Sequence, residues 1–117
     1  MPKSFKLLDS KIIEGEKRWT YSLNTIFNYQ KIIEVTITDH YQQKPGREDI
    51  TNELILETLE LKLNGKKVNP MPNSCLLWGR DVFLWNTIYQ NKKYRLIFWF
   101  KDKETSHLWI RNCYPID

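Results

Sequence analysis

The stretch DVFLWNTIYQNKKYRLIFWFKDKETSHLWIRNCYPID (81–117) decides the fold. It divides into DVFLWNTIYQ (81–90), KYRLIFWFKD (93–102) and SHLWIRNCYP (106–115). Each segment is rich in β-branched and aromatic residues, which fit a pleated surface. The breaks between them, Asn91-Lys92 and Asp102-Lys103-Glu104, are turn chemistry. Three consecutive β-strands are therefore predicted. Four of the five tryptophans fall at or near this sheet, with Arg95, Lys101, His107 and Arg111 interleaved among them.

The register of the last hairpin decides which residues share a face. A three-residue loop over Asp102–Glu104 pairs Lys101 with Thr105, Trp99 with His107, Ile97 with Trp109 and Arg95 with Arg111. One face then carries Leu96, Phe98 and Phe100 against Leu108 and Ile110. The other gathers Arg95, Trp99, His107, Trp109 and Arg111. A four-residue loop sets Ile97 and Trp99 against Leu108 and Ile110 and scatters the polar groups, because a one-residue slip swaps partners. The three-residue loop segregates apolar from polar better and is the expectation.

Upstream, Lys31 to Thr38 reads as a strand, with Ile33, Val35 and Ile37 facing one way and Ile32, Glu34, Thr36 and Thr38 the other. Arg18 to Phe27 carries Trp19, Tyr21, Leu23 and Thr25 at strand spacing. Lys6 to Glu14 fits an edge strand or a short helix. Pro45-Gly46 breaks the chain. A helix is predicted from about Ile50 to Leu63, capped by Asp49 or Thr51, with Glu53 near the positive end of its dipole. Ile55, Leu56, Leu59 and Leu63 form its apolar stripe, and Asn64-Gly65 stops it. Lys66 to Ser74, with Pro70 and Pro72, reads as a loop. Strands, one helix and more strands predict an α+β class: one domain over residues 1–117, a twisted antiparallel sheet of four to six strands with one principal helix on one face. Val82, Leu84, Leu96, Phe98, Leu108 and Ile110 are expected to face that helix.

With 117 residues and 41% hydrophobic content, the chain has the material for a packed core. Its net charge of +4 permits a polyanionic partner without demanding one. Cys75 and Cys113 form no CxxC pair, which excludes a zinc ribbon or thioredoxin-type site; two buried thiols in a cytoplasmic protein are expected. The N-terminus lacks the apolar core of a signal peptide, and no apolar run reaches membrane-spanning length, so no membrane partner is expected.

Arg95 and Arg111 lie mid-strand with no carboxylate on their own strands, and a phosphate fits a guanidinium fork. Two histidines and scattered carboxylates show no metal-ligand spacing, and no nucleophile elbow is present, so neither a metal nor another cofactor is expected. Metal-free RNA cleavage asks for less. The ribose 2′-OH is the nucleophile, and the protein supplies a base, an acid and cations. His40 and His107 are the candidates for proton transfer. Arg47, Arg95 and Arg111 are candidates for stabilising the phosphorane. Lys44 and Lys101 suit the phosphate backbone, and Tyr41, Trp99, Trp109 and Tyr114 suit the bases.

IleThrAspHis (37–40), Arg47 and IleThrAsnGluLeuIle (50–55) resemble the strand-to-helix segment of small bacterial ribonuclease toxins of the RelE and colicin-nuclease-like group. TyrArgLeuIlePhe (94–98) and the final TyrPro (114–115) resemble that group's closing hairpin. The resemblance covers residues 32–63 and 93–116, and Pro45-Gly46 interrupts a turn that is usually continuous. It implies a compact α+β fold, a metal-independent endoribonuclease deployed as a toxin, and an antitoxin or immunity protein as antagonist. His40, Arg47 and Arg95 are the residues that carry over. Two rival readings use the same surface: a non-catalytic single-stranded nucleic-acid-binding module, and a protein-interaction protein such as an immunity factor, an antitoxin or a phage-encoded inhibitor.

Overall fold

The computed structural model describes residues 5–43, 45, 48–102 and 104–116. Six strands form one sheet: β1 (Leu7–Ile13), β2 (Glu16–Phe27), β3 (Gln30–Thr38), β4 (Phe83–Tyr89), β5 (Lys92–Phe100) and β6 (His107–Pro115). Their order is β1-β2-β3-β6-β5-β4. Each half of the chain supplies an antiparallel meander, and β3 and β6 join the two by running parallel. The sheet is thus mixed, where a purely antiparallel one was expected. The connection explains it. The helical segment carries the chain back across the sheet, so β4 starts at the same end as β3. The third strand of the second meander then shares that direction.

The helix α1 (Asn52–Thr58) runs on into a π-helical turn, Leu59–Leu63. Thr51, in extended conformation, caps it by accepting from the backbone N–H of Leu54 at 3.0 Å. At the wider turn, the Thr25 hydroxyl donates to the Leu59 carbonyl at 3.2 Å. Ile55, Leu56, Leu59 and Leu63 are all buried, as the apolar stripe requires. Gly65, at φ +81°, takes the left-handed conformation that ends the segment. The Asn64 side-chain carbonyl accepts from the N–H of Ile26 at 2.8 Å, stitching this end to β2.

Against the stripe lie Leu23 and Phe27 of β2, Val35 and Ile37 of β3, Leu96 and Phe98 of β5, and Leu108 and Ile110 of β6. Phe27, Phe83, Phe98 and Phe100 add an aromatic cluster. Its closest pair, Phe27 and Phe83, has ring centroids 5.0 Å apart and meets edge to face.

Three expectations about side-chain direction are corrected. In β3, the N–H groups of Ile33 and Glu34 both donate to the Ser106 carbonyl, at 2.9 and 3.2 Å. This β-bulge shifts the alternation, so Ile32 is buried and Ile33 exposed. In β4, Phe83 pairs with Phe98 and takes the core position, which turns Leu84, paired with Ile97, to the opposite face. Val82 precedes the strand and is buried near a short helix, α2 (Ser74–Trp78), which starts at the last residue of the expected loop and for which no element was expected. In the last hairpin the Lys101 N–H donates to the His107 carbonyl at 2.8 Å, so five residues form the loop. Trp99 pairs with Trp109 and Phe98 with Ile110. The shift from expectation is two residues, so facing is preserved. A bulge at Arg111–Asn112 then sets Arg95 opposite Tyr114, not Arg111. The cysteines also differ from expectation: Cys113 is buried, but Cys75 is exposed on α2. Among the described residues no helix is long and apolar enough to cross a membrane.

Candidate functional site

The face of the sheet opposite α1 carries the candidate site. Trp99 of β5 and Trp109 of β6 sit side by side as a cross-strand pair, both half-buried. The guanidinium of Arg80, from the α2–β4 connection, lies 4.9 Å above the Trp99 ring. That of Arg18, on β2, lies 5.2 Å above the Trp109 ring. These are cation–π distances, and they hold both cations over the sheet. Glu16 accepts from Arg18 Nε at 2.9 Å and lies 3.5 Å from Arg111. Together with Lys101 and Asp102 these side chains line a cleft of about 560 Å³. Among the described residues four cations face two carboxylates there, an excess of positive charge. A second, mostly apolar cleft adjoins it and shares Arg80, Trp99 and Arg111.

The strand pattern explains why this surface exists. Side chains alternate between the two faces of a strand. Outward positions of β6 therefore carry His107, Trp109 and Arg111, and those of β5 carry Ile97 and Trp99, with Lys101 just past its end. Arg18 reaches the surface because β2 pairs Arg18 with Thr38 on the same face. Thr38 itself is buried, and among the described residues its hydroxyl has no hydrogen-bond partner.

The sequence-derived candidates separate into groups. Trp99, Trp109, Lys101 and Arg111 come together in the cleft. His107 lies on the same face but is only 4% exposed. Its Nε2 is 2.7 Å from the Thr36 hydroxyl, and its Nδ1 is 3.4 Å from Glu34 and 3.6 Å from Glu104. Thr36 in turn meets the Thr20 hydroxyl at 2.9 Å. A neutral ring satisfies the whole chain: Thr20 donates to Thr36, Thr36 to Nε2, and Nδ1–H points at the carboxylates. Burial, with Lys101 nearby, pushes the His107 pKa down, against the opposing pull of Glu34, Glu104 and Asp102.

His40 stands elsewhere, half-buried in the 3₁₀ turn Asp39–Gln43 that leaves β3. It follows Ile37, the last β3 residue paired with β6 (to Ile110), by three positions, so the chain leaves the sheet beside the second half of β6. Arg95 belongs to a different cleft, beside Asn86, Lys93 and Ile116. Its Nε donates to Asn86 at 2.9 Å, and its guanidinium lies 6.0 Å from the Tyr114 ring. Tyr41 is buried in the core, contrary to its expected role in holding bases. Its hydroxyl donates to Asn52 at 2.6 Å, and burial raises its pKa. Lys44, Arg47 and the Gly46 of the expected chain break lie outside the described residues. Among the described residues no cluster of three or more His, Cys, Asp or Glu has metal-binding geometry.

Glu16, Arg18 and Arg80 were not legible as site residues. Arg18 beside Trp19 in a strand was the available signal. Arg80 sits in a loop, where spacing predicts no partner. No family model matches the chain, and neither does any curated protein or solved structure.

Proposed function

We propose that the face bearing Trp99 and Trp109 binds single-stranded RNA, and that the protein is a metal-independent endoribonuclease of the toxin kind, acting in the cytoplasm. The observation that carries this reading is the indole pair flanked by Arg18, Arg80, Arg111 and Lys101. Bases stack on aromatic side chains while cations follow the backbone, and that combination suits a single strand. Cleavage then needs proton transfer at the ribose 2′-OH and at the leaving 5′-oxygen. His107 is enclosed, so proton transfer falls to His40, in the 3₁₀ turn that leaves β3. An antitoxin or immunity protein is the antagonist this reading implies.

Binding without cleavage is the second reading. It is favoured because, among the described residues, no histidine lines the Trp99–Trp109 cleft. Incubating the protein with single-stranded RNA in EDTA separates the two. The ribonuclease reading expects fragments ending in 2′,3′-cyclic phosphate. It also expects His40→Ala to slow their formation by about 10²- to 10⁴-fold while binding persists. Binding with no product leaves the second reading, and activity lost on adding EDTA contradicts the first.

A further inference from the structure

The apolar cleft beside the basic one is unaccounted for by phosphate binding. Its volume is about 580 Å³, within the range of small-ligand sites. Met71, Val82, Leu84 and Ile97 give it an apolar wall, and Trp78 and Trp99 give it two indoles. Among the described residues its only charged lining groups are the guanidinium side chains of Arg80 and Arg111, so no carboxylate there repels an anion. Trp78 is 55% exposed, an unusual position for so large an apolar ring.

The cleft wall is fixed. α2 lies between Asn73 and Gly79, both in left-handed conformation. The Met71 N–H donates to the Val82 carbonyl at 2.8 Å. The buried Ser74 hydroxyl accepts from the Val82 N–H at 3.0 Å. These bonds tie the segment bearing Trp78 to the residue that leads into β4, so the backbone that carries the indole is held in place. A preformed aromatic wall lowers the ordering cost of binding.

We propose that this apolar cleft receives one unpaired nucleobase of the bound strand, lying between Trp78 and Trp99, with the adjoining phosphate at Arg80 and Arg111. The inference rests on the RNA-binding reading and specifies where a base goes. The shared residues Arg80, Trp99 and Arg111 make the two clefts one continuous path for sugar-phosphate and base. A base held in a duplex cannot enter, so the site selects single strands. Every base offers a flat face, so stacking here tolerates any sequence.

The test compares a fluorescently labelled RNA oligonucleotide with an abasic sugar-phosphate strand of the same length. The wild-type protein is expected to bind the base-carrying strand at least about fivefold tighter. Trp78→Ala is expected to weaken binding of that strand several-fold and leave the abasic one unchanged, with Trp99 and Trp109 keeping the rest of the difference, and Trp78→Phe is expected to retain most of the wild-type affinity. Equal weakening of both strands by Trp78→Ala, or no effect on either, overturns the base site while leaving RNA binding intact. If the wild-type protein binds neither strand, the RNA-binding reading falls and the base site with it.

Discussion

His107 shows how one side chain changes meaning between sequence and structure. Its residue type suits proton transfer near neutrality, but its position at the β3–β6 seam encloses it. The ring serves the Thr20–Thr36 hydroxyl chain in neutral form. A histidine whose folded pKa is depressed supports stability fully above its unfolded value of about 6.5 and loses that support as pH falls below it. The His107 ring resonance followed by NMR is therefore expected to titrate below 6.5, the ordinary value; a midpoint above it would mean that Glu34 and Glu104 dominate. Thr38 offers a second residue-scale test. Its buried hydroxyl has no partner among the described residues, and such a group carries a desolvation penalty. Thr38→Val removes that group at nearly constant shape and is expected to stabilise the protein by about 1 kcal/mol. Destabilisation in urea melts would show that the hydroxyl is satisfied in solution.

At the scale of elements, the helix and the last three strands were legible because each rests on local signals. The Ile55–Leu63 stripe, the Thr51 cap and the Asn64-Gly65 stop act within a few residues of one another, and the structure reproduces all three. The β4–β6 alternation was legible for the same reason. Bulges were not, since the Ile33–Glu34 bulge depends on the Ser106 carbonyl, far along the chain. Nor was the direction of Leu84, which follows from Phe83 pairing with Phe98. One long-range tie at this scale is directly testable. The Tyr89 hydroxyl, at the end of β4, donates to Glu57 of α1 at 2.6 Å, and that bond, helped by burial, pushes the phenol pKa up to about 12. A raised folded-state pKa gives stability that is complete below the unfolded value of about 10. That stability disappears as pH rises towards about 12. Tyr89→Phe is expected to cost about 1.5 kcal/mol at neutral pH and to remove that alkaline loss. Urea midpoints for the two proteins that fall in parallel above about pH 10 would contradict the tie.

For the whole molecule, the sheet topology brings together residues that the sequence keeps apart. Arg18 comes from the first meander, Arg80 from the crossover, and Trp99, Trp109 and Arg111 from the second meander. Half of this surface was readable in the sequence, because β5 and β6 are neighbours in the chain. The other half required the parallel β3–β6 seam, which strand periodicity does not specify. The longer last hairpin and the Arg111–Asn112 bulge, in contrast, part Arg95 from Arg111, which were expected to pair. The central claim concerns the assembled face, and binding of a labelled single-stranded RNA over a range of salt concentrations tests it most directly. With about three or four phosphates neutralised, log affinity is expected to fall against log salt with a slope of about −2 to −3. Replacing Trp99 and Trp109 together by Ala is expected to weaken binding at least about tenfold with the fold retained. Affinity insensitive to salt, or equal in the wild-type and doubly substituted proteins, would contradict the claim that this face grips the strand.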